Sequence, residues 1–153
     1  MADNNMEIER KYLVKCVPDN LDDYDYHIIE QAYLCTSPVV RIRRQDNDFY
    51  LTYKSSGLMA HVEYNLPLDS ASYEHLLKKA DGNIITKKRF LIPLDDTHTI
   101  ELDIFDGVKK GLILAEVEFS SVEDANSFIS PEWFDKDVTL DPQYHNSVMS
   151  MQK

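Results

Sequence analysis

Charged residues recur two apart along this chain, grouped by sign. Glu7 and Glu9 are followed by Lys11, and the same spacing gives Arg41 and Arg43, Lys87 and Arg89, Glu101 and Asp103, and Glu116 and Glu118. Lys54 shares its parity with Thr52, and Glu63 shares its parity with His61 and Asn65. Arg and Lys hold phosphate oxygens, Arg through a bidentate fork. Clustered carboxylates hold hard cations such as Mg²⁺ or Mn²⁺ through oxygen. Together the two sets describe a site for a metal–polyphosphate complex. The sequence has no His/Cys cluster at zinc spacing, no P-loop and no GxSxG.

The elements that position these residues are strands, because successive strand residues point to opposite faces. Period-two stretches run over Glu7–Val14, His27–Leu34, Val39–Arg44, Phe49–Lys54, Ala60–Leu66, Ile84–Ile92, Thr99–Asp106 and Leu112–Ser120. The faces opposite the charges are largely apolar, with Ile8, Tyr12, Val40, Ile42, Tyr53, Val62, Tyr64, Phe90, Leu102, Ile104, Ala115, Val117 and Phe119. Arg10, Arg44 and Lys88 break this pattern.

For one strand alone, a charged face is simply a wet face. Grouping by sign argues otherwise. Residues two apart on a strand lie about 6.6–7 Å apart. Like charges at that distance repel by roughly 0.6 kcal/mol in water and about 2.4 kcal/mol at an effective dielectric of 20. A face selected only for solubility intersperses neutral residues and mixed signs. A bound polyanion with divalent cations relieves the repulsion. If helices cover the apolar faces, the charged faces converge on a lumen, and closing the sheet removes its edges.

Helices are few. Ala71–Ala80 reads as one, with Ser70 as N-cap and Gly82 past its end; Val122–Ile129 reads as another, capped by Ser120 or Ser121. Asp141-Pro142 opens a short C-terminal helix. The expected class is α+β, mainly β: a closed antiparallel barrel with a few helices packed outside.

The 153 residues fit a single domain spanning 1–153. A net charge of −11 argues against a nucleic-acid or membrane surface, and no apolar run is long enough to span a bilayer. Met1-Ala2-Asp3-Asn4-Asn5 lacks a signal-peptide pattern, and Cys16 and Cys35 read as reduced thiols, a bridge between them being the alternative, so the cytoplasm is the expected compartment. The expected partner is a small-molecule triphosphate, with monomer and homodimer both open.

The same residues carry a resemblance. Glu7-Ile8-Glu9-Arg10-Lys11 resembles the ExExK signature of the CYTH superfamily, the triphosphate tunnel metalloenzymes. It is followed in order by RxR (Arg41, Arg43), Lys54, Glu63, KxR (Lys87, Arg89), ExD (Glu101, Asp103) and ExE (Glu116, Glu118). The similarity runs on through Asp137-Val138-Thr139 and Tyr144-His145-Asn146 and so covers essentially the whole chain. It is nearest to small stand-alone bacterial members, several of which are tripolyphosphatases.

The resemblance implies an eight-stranded antiparallel barrel enclosing a tunnel. It implies that Lys11, Arg41, Arg43, Lys54, Lys87 and Arg89, with Glu63 beside them, hold the triphosphate. It implies that Glu7, Glu9, Glu101, Asp103, Glu116 and Glu118 hold one or two Mg²⁺ or Mn²⁺ ions, Glu101 alternatively orienting a Lys or Arg. Glu7, Glu9, Lys11, Lys87 and Arg89 are the catalytic set it points to. The expected reaction is cleavage of tripolyphosphate to pyrophosphate and phosphate. Thiamine- or nucleoside-triphosphatase and adenylate cyclase are alternatives within the superfamily, and a non-catalytic polyphosphate-binding module is one outside it.

His61 and Val62 depart from the charged residues frequent in close relatives. His27, His61, His75, His98 and His145 read as surface or packing residues. Gln31 and Tyr33 share a strand face, and a structural role is expected for Tyr33, a tunnel position being the alternative. Trp133 and Phe134 are expected to anchor the C-terminal segment.

Overall fold

Eight alternating segments close on one another. In the computed structural model, which describes residues 5–57 and 59–152, β1 (Met6–Val14), β2 (Tyr26–Thr36), β3 (Val39–Gln45), β4 (Asp48–Lys54), β5 (Ala60–Leu68), β6 (Asp81–Pro93), β7 (Thr99–Asp106) and β8 (Ile113–Glu118) pair antiparallel throughout. Their order is β5-β4-β3-β2-β6-β7-β8-β1, and β1 returns to β5 to close the barrel. Residues 1–4, on which the reading of no signal segment partly rests, lie outside the described residues.

Closure is narrow. Met6, Glu7 and Ile8 pair with Val62, His61 and Ala60; further along, β1 and β5 part. The gap is filled from the C-terminal end of the chain. A ninth strand, β9 (Phe134–Asp137), pairs with β1 through a bulge. Beyond it the Val138 N–H donates to Lys11 O at 2.8 Å, and the Lys11 N–H donates to Thr139 Oγ1 at 2.9 Å. β9 has one apolar side chain in four residues and so leaves no alternation in the sequence to mark it.

Three short α-helices pack against the strands. α1 (Ser70–Leu77) is capped by Asp69, not Ser70: the Asp69 carboxylate accepts the Ser72 N–H at 2.7 Å. It ends before Ala80 because the chain turns into β6 at Asp81. α2 (Val122–Ser127) has Ser121 as N-cap and stops short of Ile129; Phe128 goes extended and turns its ring onto Phe119 at 5.1 Å. Asp141-Pro142 opens a 3₁₀ turn, Pro142–Tyr144, and α3 (Asn146–Ser150) follows it. No described helix is long and apolar enough to cross a membrane.

The outer apolar faces form two cores. Tyr12, Phe90, Leu102, Ala115, Val117 and Phe119 bury against α2, Phe128 and Phe134, while Ala32 and Ile42 bury under Tyr73 of α1. A third core lies inside the barrel. On the parity that carries the charges, Ile85 precedes Lys87, Phe105 follows Asp103, and Leu114 precedes Glu116; all three are buried with Val138 and Met149, and Leu13 and Tyr144 pack against them. The lumen is therefore charged over part of its length and plugged with apolar side chains at one end. The expected tunnel is a cup. Close approach of the plug depends on Gly82, at φ +69°, where a Cβ would lie 2.4 Å from Ser150 O.

One surface tie gives a pH test. His98 spans two carboxylates, Nδ1 to Asp95 Oδ2 and Nε2 to Asp124 Oδ2, both at 2.9 Å. Asp95 first, then Asp124, raise its pKa above the usual imidazole value. Its contribution to stability is thus complete below that usual value and is lost as pH rises through the raised one. His98→Ala should lower Tm more at pH 6 than at pH 9. Equal losses at both would reduce the tie to packing.

Candidate active site

The open part of the barrel is a cavity of about 370 Å³. Alternation brings Glu7, Glu9, Lys11, Arg41, Arg43, Lys54, Glu63, Arg89, Glu101, Glu116 and Glu118 to its wall. Lys87 and Asp103 face inward but sit behind the wall. Asp103 is fully buried, with the Lys87 ammonium at 2.7 Å and the Arg89 guanidinium gripping both its oxygens at 2.7 and 2.9 Å. Burial opposes the Asp103 charge, but Arg89 and Lys87 outweigh it and hold the carboxyl below its usual range.

Most wall charges are paired. Arg89 reaches Glu116 at 3.0 Å and Glu101 at 3.2 Å. Lys11 contacts Glu116 at 3.2 Å and donates to Tyr144 O at 2.9 Å. Lys54 lies between Glu7 at 3.1 Å and Glu63 at 3.3 Å, and His61 Nε2 is 2.6 Å from Glu7. Burial opposes ionisation of Glu7 and Glu116, yet their partners, His61 and Lys54 for the first and Lys11 and Arg89 for the second, hold both well below the usual carboxylate range.

Two acids and two bases on the wall lack an ion-pair partner among the described residues. Glu9 and Glu118 face each other in the β1–β8 register. Burial, then Glu116 and Glu7, pushes Glu9 up to about 8. Glu118 is also pushed up to about 8, by burial and by its contact with the charged Glu7. Across the cavity, Arg41 and Arg43 on β3 have only neutral partners. Arg41 Nη2 donates to Thr52 Oγ1 at 3.1 Å, and its buried Nε has no acceptor. Arg43 donates twice to Gln31 Oε1, and burial, then Arg41, lowers its guanidinium to about 9.

Several wall residues stand outside the expected set. His61 shares the parity of Glu63 and is buried in the site, not spent on packing. Ligand atoms of Glu7, Glu9 and His61 lie within 4.8 Å of one another. Tyr33 is on the wall, and Gln31 is fully buried beside Arg43. Thr139, His145, Asn146 and Ser147 reach the cavity from the C-terminal segment, where no periodic pattern marked them. The donor set of Glu9 and Glu118, all oxygen, unpaired and anionic when ionised, fits a hard divalent cation.

No family model matches the chain. A curated inorganic triphosphatase of Nitrosomonas europaea is 37% identical over 150 residues, 95% of this chain and 97% of the relative. The chain belongs to the inorganic triphosphatases of the triphosphate tunnel superfamily. A second inorganic triphosphatase, from Acetivibrio thermocellus, is 36% identical over 114 residues, 71% of this chain and 69% of the relative. The crystal structure of an inorganic triphosphatase superposes with a TM-score of 0.72 at 35% identity, covering 96% of this chain and 95% of that one. A conserved hypothetical protein of Pyrococcus furiosus matches with a TM-score of 0.58 at 21% identity, over 78% of this chain and 82% of that one, a likeness of fold alone.

Proposed function

We propose that the chain hydrolyses a phosphoanhydride bond of a small triphosphate, inorganic tripolyphosphate above all, releasing pyrophosphate and phosphate with the help of Mg²⁺ or Mn²⁺. The observation that carries this reading is the division of unpaired charge: two acids on β1 and β8, and two arginines opposite them on β3. A metal–polyphosphate complex matches both halves at once.

Phosphoryl transfer needs positioning and charge neutralisation more than covalent chemistry. Arg41 and Arg43 take oxygens of the phosphate tail through their free guanidinium nitrogens. Lys11, Lys54 and Arg89 add positive charge where the leaving pyrophosphate forms, each held in place by a carboxylate. Lys87 and Asp103 touch neither substrate nor metal in this reading; they fix Arg89 from behind. Glu9 and Glu118, with Glu7 and Glu116 beside them, hold the divalent ion. When bound, such an ion neutralises phosphoryl oxygens and lowers the pKa of water. The free thiols of Cys16 and Cys35 accord with a cytoplasmic enzyme.

The wall is polar and charged, which suits bare phosphates. Purified protein incubated with tripolyphosphate, thiamine triphosphate and ATP, with and without Mg²⁺ or Mn²⁺, should release phosphate fastest from tripolyphosphate, and only with metal. No release above a boiled control across a range of divalent metals would refute hydrolysis. Cyclic AMP as the main product from ATP would favour a cyclase.

A further inference from the structure

We propose that Gln31 is the positioning residue of Arg43, and that its neutrality is what keeps Arg43 available to an anion. Gln31 lies on β2 directly opposite Arg43 of β3 and is fully buried. Its Oε1 accepts from Arg43 Nε at 3.0 Å and from Nη2 at 2.6 Å. Its Nε2 donates to Tyr33 OH at 3.2 Å. The Arg43 fork decides the amide orientation: a guanidinium only donates, so the carbonyl faces it, and the NH₂ faces the phenol, which accepts.

The arrangement separates two jobs that a carboxylate would merge. Arg89 is oriented by Asp103, Glu101 and Glu116, so its charge is largely cancelled in place. Arg43 is gripped along the same Nε–Nη2 edge by a group with no charge. One face of the guanidinium is fixed, Nη1 is left without a protein partner among the described residues, and the full positive charge remains. Burial beside Arg41 and Arg89 makes that charge costly. A phosphate oxygen is the group that relieves it. Glu at position 31 has nearly the shape of Gln and would make a stronger fork to Arg43. It would also cancel the charge that the anion needs.

This inference rests on the triphosphatase reading for its anion, but one arm of its test does not. Wild type, Gln31→Met and Gln31→Glu are compared by NMR of arginine side chains and by tripolyphosphate kinetics. The Arg43 Nε–H signal, identified by its loss in Arg43→Lys, should exchange slowly with solvent in wild type and Gln31→Glu, and fast in Gln31→Met. Gln31→Glu should have an unchanged or higher Tm, yet a KM for tripolyphosphate raised about tenfold or more with a smaller change in kcat. Gln31→Met should raise KM by a lesser factor. A merely structural Gln31 predicts that the Tm and KM of Gln31→Glu move together. Slow Nε–H exchange in Gln31→Met, or wild-type KM in Gln31→Glu, overturns the assignment. Wild-type protein that ignores tripolyphosphate overturns the functional reading instead, and the exchange rates then decide Gln31 by themselves.

Discussion

Glu9→Gln is expected to cut turnover of tripolyphosphate by at least about a hundredfold while leaving the fold intact. The amide keeps the shape of the side chain and removes one of the two acids that have no cation partner. Glu9 sits beside Glu7 and Glu116, whose charges, after burial, oppose its ionisation. Removing it therefore relieves repulsion, and Tm without metal should hold or rise. Glu116→Gln is the instructive contrast. Glu116 is tied to Lys11 and Arg89 at 3.2 and 3.0 Å, so its loss leaves two buried cations short of a partner. That variant should lose activity and stability together, the latter on the order of 3 kcal/mol. Steady-state rates, Mn²⁺ titration calorimetry and thermal melts on the two variants separate these outcomes. Wild-type turnover and Mn²⁺ affinity in Glu9→Gln would remove Glu9 from the metal seat.

Arg43→Ala should lower kcat/KM for tripolyphosphate by at least about tenfold. A charge-assisted hydrogen bond is worth about 1.5–3 kcal/mol, and 1.4 kcal/mol is a factor of ten. Arg43→Lys should restore only part of the loss, because an ammonium cannot offer a fork. Arg44→Ala is the internal control. Arg44 points outward, donates to Asp46 O at 3.0 Å and lies over the Phe49 ring at 5.8 Å. Its removal should change kcat/KM little. A critical Arg44 beside a dispensable Arg43 would mean a one-residue slip of β3, reversing every inward assignment on that strand.

Strand phase was legible because alternation is local: Glu7, Arg41, Lys87 and Glu116 each declare a face without knowing their neighbours. All eight barrel strands follow from it, with ends moved by a few residues. Depth along the barrel did not follow. Lys87 and Asp103 have the same parity as Arg89 and Glu101, yet they lie behind the wall, because only strand stagger sets their level. Pairing of charges was hidden for a related reason. That Lys11 meets Glu116, while Glu9 stands opposite Glu118 with no cation in ion-pair reach among the described residues, depends on β1 lying beside β8. His61 was undervalued because a lone histidine on a strand carries no spacing signal. The apolar plug joins Ile85, Phe105 and Leu114 of the strands to Val138 and Met149, which belong to a segment whose turns break any period.

β1 is made before every strand that it pairs with. One edge of it waits for β8, about a hundred residues later in the chain, and the other is shared between β5, β9 and Thr139. During synthesis the strand that carries Glu7, Glu9 and Lys11 therefore lacks its full set of neighbours until residues near 139 have emerged. Its ladder is built from contacts distant in sequence, which makes closure slow relative to local hairpins such as β3–β4. Until then an unpaired edge, backed by Ile8 and Tyr12, is open to pairing with other chains. Glu9 and Glu118 come together only when β1 pairs with β8, so a chain in which these two strands have not met cannot hold metal in the proposed seat.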